Sequence, residues 1–213
     1  MARYRKTAIA ALAASALLLA PTAAYADHNH RGVSASSDDS GMSWGYYSGE
    51  LTDFETTSPD VFKGARASAV MIGMDGRSFF RLRVSGIGAE DEVYGVHLHQ
   101  GTCDAKDWNV AGKHYNVSWN NNSTLDDLVS NKTEVWLDLD VDSDGNARST
   151  ATVSFIPEEG VRSIVLHALP TLREPDGTNG IGYAGTRLAC LPFEIKPVLS
   201  LLLSPGTYQV RPA

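Results

Sequence analysis

Cysteine is scarce in this chain, which holds only Cys103 and Cys190 among its 213 residues. Two cysteines allow at most one intrachain disulfide, a bond that persists in oxidising compartments outside the cytoplasm. The alternative is a pair of buried free thiols. The pair therefore favours a single disulfide, provided that the protein is exported.

Long apolar runs are also scarce, and the longest lies at the N-terminus. Residues 1–6 are basic, residues 8–20 are apolar, and residues 24–26 (AYA) fit the small-residue rule for signal cleavage. Residues 1–26 are therefore predicted to be a secretory signal peptide. The mature protein is expected to be secreted, in the extracellular, periplasmic or cell-wall space. No later stretch approaches the roughly 20 apolar residues of a membrane span, so no span is expected.

Positive charge is in deficit. The sequence has 18 Lys and Arg against 25 Asp and Glu, a formal net charge of −7. Removal of residues 1–26 leaves 15 basic against 25 acidic side chains, or −10. This balance argues against nucleic acid or anionic membranes as partners.

Helical periodicity is missing as well, and apolar residues instead alternate with a period of two. A hairpin is predicted from residues 65–74 and 78–87, and a strand at residues 135–141 is followed by a turn and another strand at residues 146–156. Further strands are expected at residues 92–99, 162–168 and 185–193. About seven short strands separated by turn signals predict an all-β antiparallel sandwich or flattened barrel.

The predicted domain occupies residues 64–196, within the size of a single domain. Before it, residues 27–63 are rich in Ser, Asp and Gly and are predicted to be a flexible leader, with one aromatic anchor around residues 44–47. After it, residues 197–213 are apolar enough for an added strand or a packed C-terminal extension.

The positions of the histidines indicate a metal site. The predicted domain contains four of the six histidines: His97, His99, His114 and His167. The first two are two residues apart on a strand, so their side chains point to one face and can reach one metal ion. A loop supplies the third and a strand the fourth. Four imidazoles suit Cu(II), and the loss of one suits three-coordinate Cu(I), so the set predicts a copper site capable of one-electron chemistry.

The motifs around these histidines resemble the copper-zinc superoxide dismutase family, especially its bacterial secreted branch. Residues 94–103 (YGVHLHQGTC) resemble the Gly-x-His-x-His motif with the disulfide cysteine close behind, and residues 111–116 (AGKHYN) resemble the segment of the bridging histidine. Residues 164–168 (IVLHA) and 184–190 (AGTRLAC) resemble the last-ligand strand and the Gly-x-Arg-Leu-Ala-Cys signature. The resemblance spans roughly residues 65–193 and implies a Greek-key β-sandwich.

The resemblance also implies roles for individual residues. His97, His99, His114 and His167 would bind copper, and Cys103 and Cys190 would form the structural disulfide. Arg187 would lie in the channel above the metal, where a guanidinium attracts a small anion. The implied reaction converts superoxide to oxygen and hydrogen peroxide, with His114 donating a proton in the second half-reaction.

The chain departs from the family at the zinc site. Residues 115–133 contain no histidine, and the two remaining histidines, His28 and His30, lie in the leader. Zinc is therefore not expected, and the chain resembles a copper-only member. His114 then needs another acceptor on its second nitrogen. Glu134 and Asp138 are the candidates, with Asp176 as a third.

The sequence is also consistent with a function other than catalysis. The loop at residues 169–184 is shorter than the family's electrostatic loop and carries little net positive charge. A secreted copper-binding or copper-delivery protein on the same fold, without catalysis, is the alternative. The sequence does not decide between a monomer and a homodimer.

Overall fold

The computed structural model of the chain describes residues 42–54, 60–119 and 129–198. The predicted signal peptide, most of the predicted leader with His28 and His30, and the extension beyond residue 198 lie outside these described residues. Within them, no helix has the length and apolar character that a membrane crossing needs.

The described residues form an antiparallel β structure with one 3-10 turn at Trp108–Ala111. Its strands, in chain order, are β1 (Ser43–Glu50), β2 (Thr52–Asp53), β3 (Arg66–Met74), β4 (Arg77–Ser85), β5 (Val93–Tyr94), β6 (Val96–His99), β7 (Leu139–Asp140), β8 (Asn146–Val153), β9 (Gly160–His167) and β10 (Arg187–Pro197). The main sheet has the order β6-β9-β10-β1-β3-β4-β8, with β2 paired to β10. The predicted all-β antiparallel class is confirmed.

Strands β3 and β4 form the predicted hairpin. At its turn, Asp75 and Gly76 have φ values of 52° and 70°, as a tight two-residue turn that matches strand twist requires. Along β4, Phe80, Leu82 and Val84 are buried while their neighbours are exposed. Each such buried side chain contributes about 1.5–3 kcal/mol to folding.

The predicted strand at residues 135–141 is regular only in β7. Backbone N–H groups of Leu98 and Leu137 bond the carbonyls of Val135 and Val96, so this segment runs beside β6 and curls the sheet into a half-barrel. Within this irregular ladder, the Asp138 carboxylate accepts the Val96 N–H at 3.3 Å. The same irregularity places polar side chains of this segment beside the histidines.

Strand β1 corrects the predicted domain boundary. It lies within the predicted leader, yet it pairs with β3 along its whole length and with β10 at its start. The sequence pattern concealed this strand because its buried positions are Ser43 and Gly45 rather than large apolar residues. A Cβ on Gly45 would lie 2.6 Å from the Phe193 ring, so glycine is needed for the approach of β10. The structured domain therefore begins by Ser43, not at residue 64.

Candidate metal centre

Three separate parts of the fold bring the four histidines together. His97 and His99 lie on β6, His114 forms an isolated bridge with His99, and His167 ends the neighbouring strand β9. One ring nitrogen of each lies within 4.8 Å of the others. His97, His99 and His167 are buried, whereas His114 is partly exposed. This group could bind a metal ion.

Strand β6 explains how the sequence builds the group. Val96 and Leu98 join the hydrophobic core, so His97 and His99 project from the other face of the sheet. Strand β9 pairs with β6 in antiparallel register, with Val165 opposite His97. Two residues further along β9, His167 projects from that same face.

The distances between the ring nitrogens fit a single ion. His97 Nδ1 lies 3.0 Å from His114 Nε2, and His99 Nε2 lies 3.2 Å from His167 Nε2. Four nitrogens at about 2.0 Å from a common metal are separated by roughly 3–4 Å. These two pairs lie in that range, and all four nitrogens lie within 4.8 Å of one another. The four donors are imidazoles, with no carboxylate or thiolate among them.

Two of the rings are oriented by backbone carbonyls. His99 Nδ1 lies 3.2 Å from the Gly112 carbonyl oxygen, and His167 Nδ1 lies 3.2 Å from that of Gly185. A carbonyl can only accept, so each Nδ1 carries the hydrogen and each Nε2 presents a lone pair to the centre.

Glu134 orients His114. Its Oε2 lies 3.0 Å from His114 Nδ1, which is the contact predicted for the supporting acid. Glu134 is only 2% exposed, and its carboxylate also accepts from Trp136 Nε1 at 2.9 Å and Asn116 Nδ2 at 3.2 Å. Since a carboxylate accepts hydrogen bonds, His114 also keeps its hydrogen on Nδ1 and turns Nε2 to the centre.

Asp138, the other candidate acid, contacts a different histidine indirectly. Its Oδ1 lies 2.5 Å from Thr171 Oγ1, and Thr171 Oγ1 lies 2.7 Å from His97 Nε2. Arg173 pairs with the second oxygen of Asp138 at 3.0 Å. The suggestion that Asp138 supports His114 is therefore wrong, because Thr171 stands between this carboxylate and the histidines.

The third candidate, Asp176, bonds within its own loop. It accepts hydrogen bonds from the backbone N–H groups of Thr178 and Asn179. Thr171 and Arg173 are not among the predicted site residues, because the net charge of their loop does not show which of its side chains contact the site. No motif marks Thr171, because its contact with His97 depends on how this loop packs against β6.

Arg187 lies at the entrance to the group. Its guanidinium donates to the Trp108 carbonyl at 2.8 Å and the Gly112 carbonyl at 2.6 Å, and it stacks on the Trp108 ring. With His114 and His167 it lines a cleft of about 400 Å³ that opens to solvent. Burial lowers the pKa of Arg187, yet an arginine stays charged at any working pH.

The disulfide connects the loop at this entrance to the main sheet. Cys103, in the loop after β6, is bonded to Cys190 on β10. The same loop carries Gly112, whose carbonyl holds both His99 and Arg187. The disulfide therefore connects the loop that carries the Gly112 carbonyl to strand β10.

Substitution of Gly101 is expected to disrupt this loop. A Cβ there would lie 2.9 Å from the Ala111 carbonyl carbon and closer still to the Val110 oxygen. Because both neighbours are backbone, we expect Gly101→Ala to lower the free energy of unfolding by about 3 kcal/mol. Urea denaturation measures it, with Gly88→Ala, where the nearest atom is 3.4 Å away, as the control. Equal stability of the two variants would contradict the close approach.

The metal-free protein should lose stability in acid. Burial, reinforced by charge on neighbouring histidines, holds the pKa values of His97 and His99 well below 6.5 and that of His167 at about 3. Unfolding restores ordinary pKa values, so the unfolded chain binds more protons below pH 6.5. Stability is therefore full above that pH and falls toward pH 3, by about 1.4 kcal/mol per pH unit for each histidine.

Urea denaturation of metal-free protein at pH values below 6.5, with pH 7.5 as the reference, measures this slope. In His167→Gln the slope should be shallower by about 1.4 kcal/mol per pH unit, because one buried histidine is gone. An unchanged slope in that variant would show that His167 does not contribute.

Comparison with known proteins identified no family for this chain. No protein-family model matches it, and no curated protein does. Among solved structures, the clock protein EA4 aligns with 17% sequence identity and a TM-score of 0.49, covering 78% of this chain and 98% of that one. A likeness at this level says nothing about function.

Proposed function

We propose that this protein is a copper-dependent superoxide dismutase that works without zinc. The observation that carries the proposal is the convergence of four imidazole nitrogens, three from buried rings and one from the partly exposed His114. A donor set of imidazoles alone suits copper in both oxidation states. The sequence motifs around the same four residues support this choice of metal.

The contact between Glu134 and His114 supports the absence of zinc. In a site with two metals, Nδ1 of a bridging histidine would have to face the second ion. Here Nδ1 of His114 faces a buried carboxylate at 3.0 Å. Glu134 therefore takes the place of a second metal as the group that fixes this ring.

The residues of the site suit a reaction with a small anion. Copper, when bound, would supply the one-electron exchange with superoxide. Arg187 provides a fixed positive charge beside the cleft and draws an anion toward His114 and His167. His114 is the most exposed of the four histidines. When its Nε2 is not bound to copper, that nitrogen would take a proton from solvent and pass it to the reduced substrate. Glu134 keeps the ring in place while that nitrogen is protonated.

Glu134→Gln tests the role of this carboxylate. Glutamine has the same shape, but its amide weakens the acceptor for His114 Nδ1 and disturbs the hydrogen bonds from Trp136 and Asn116. We expect dismutation to fall about 10- to 100-fold, as for other partners of metal-bound histidines. Bound copper and turnover are measured on the same sample, with the exposed Glu90→Gln as the control. Full activity in Glu134→Gln would remove the carboxylate from the mechanism.

A copper-delivery protein is the second candidate function. The openness of the cleft beside His114 favours it, since a partner that accepts copper would need access to a ligand it can displace. Transfer of copper from the loaded protein to a chelating acceptor, without turnover of superoxide, would support delivery over catalysis. Either function fits a secreted protein, and the disulfide supports that location.

A further inference from the structure

His97 differs from the other three histidines in the nitrogen that it presents. His99, His114 and His167 turn Nε2 toward the centre, whereas His97 turns Nδ1. Its Nε2 points away, to the hydroxyl of Thr171 at 2.7 Å. Both residues are buried.

The direction of each hydrogen bond follows from what the groups can donate. The Asp138 carboxylate accepts three hydrogen bonds, from Thr171 Oγ1 at 2.5 Å, Arg173 Nη2 at 3.0 Å and the Val96 N–H at 3.3 Å. Thr171 has only one hydroxyl hydrogen, and it donates that hydrogen in the bond to Asp138. The Thr171 oxygen is therefore left as an acceptor, and His97 must carry its hydrogen on Nε2.

We propose that Thr171 is a positioning residue that holds His97 in the Nε2–H tautomer and so keeps the Nδ1 lone pair facing the metal centre. The inference deepens the proposed copper function and rests on it for the affinity test below. The tautomer itself is a property of the metal-free protein.

Loss of the hydroxyl would have a specific consequence. His97 Nδ1 lies 3.0 Å from His114 Nε2, and Glu134 holds the hydrogen of His114 on its other nitrogen. Without Thr171, the His97 hydrogen moves to Nδ1 and is donated to His114 Nε2. One hydrogen bond would then occupy two of the four metal-binding nitrogens. A metal ion would have to break that bond before it could bind.

Two variants separate the hydroxyl from the shape of the side chain. Thr171→Val keeps the shape and removes the hydroxyl, and Thr171→Ser keeps the hydroxyl. Thr150→Val, at an exposed position on β8, is the control for the substitution itself. Nitrogen-15 NMR of the metal-free proteins identifies the tautomer of His97, and competition with a chelator of known affinity measures Cu(II) binding.

We expect Nε2–H on His97 in the unmodified protein, Thr171→Ser and Thr150→Val, and Nδ1–H in Thr171→Val. Cu(II) affinity should fall about 10- to 100-fold in Thr171→Val alone. Nδ1–H in the unmodified protein would overturn the proposal even if Thr171→Val did not fold. Nε2–H and full affinity in Thr171→Val would overturn it equally. Failure of every variant to bind copper, with the tautomers as expected, would instead contradict the proposed function.

Discussion

Replacement of His114 with alanine should abolish fast dismutation while leaving the protein folded and able to bind copper. His97, His99 and His167 provide three nitrogens without it, enough for three-coordinate Cu(I). The variant lacks the group proposed to move the proton, and such groups contribute about 10²- to 10⁴-fold to a rate. We therefore expect at least a roughly 100-fold loss of turnover per bound copper.

The measurement is superoxide decay per copper ion, with metal content determined on the same sample. A His28→Ala, His30→Ala double variant is the matched control, because it removes two histidines outside the predicted domain. It should retain full activity. Undiminished turnover in His114→Ala would remove the proton-donor role, and loss of copper from it would show that three histidines do not suffice.

Removal of the disulfide should have the largest effect on stability. Cys103 and Cys190 are 87 positions apart, so their bond closes a long loop in the unfolded chain. The loop-entropy estimate for that length is about 4–5 kcal/mol. We expect the Cys103→Ser, Cys190→Ser double variant to lose this much free energy of unfolding, measured by urea denaturation of the metal-free protein.

The same variant should also bind copper less tightly, because the loop that carries Gly112 would no longer be tied to β10. The two single variants are poor controls, since each leaves a free thiol that can bind copper. Reduction of the unmodified protein followed by alkylation provides an independent comparison. Unfolding at the same urea concentration in oxidised, reduced and double-variant protein would contradict a stabilising role for the bond.

Much of this architecture follows from patterns that are local in the sequence. The alternation of Phe80, Leu82 and Val84, and the Asp75-Gly76 turn, are sufficient to predict the β3–β4 hairpin. The spacing of His97 and His99 likewise predicts two side chains on one face of a strand. In both cases the periodicity of a strand fixes the outcome without tertiary information.

Strand β1 shows where that reasoning fails. Its buried positions carry Ser43 and Gly45, and the need for glycine comes from the Phe193 ring on β10. Hydrophobic periodicity cannot report a close approach between segments that are about 150 residues apart in the sequence. The predicted boundary at residue 64 is therefore too late in the chain.

Some of the groups that orient the histidines can be predicted from the sequence, and others cannot. Glu134 and Asp138 could be proposed as acids near His114, but their partners depend on how the irregular segment beside β6 turns each side chain. No local pattern in the sequence indicates that Thr171 lies between Asp138 and His97. Such contacts depend on the packing of two loops, which no periodicity encodes.

The central claim is that the four histidines form a copper site that turns over superoxide. Its most direct test is elemental analysis of the mature protein after reconstitution with copper and zinc together, combined with a dismutation assay on the same sample. We predict one copper, no zinc and fast turnover. Zinc in the histidine site, or one bound copper with negligible turnover, would contradict the claim.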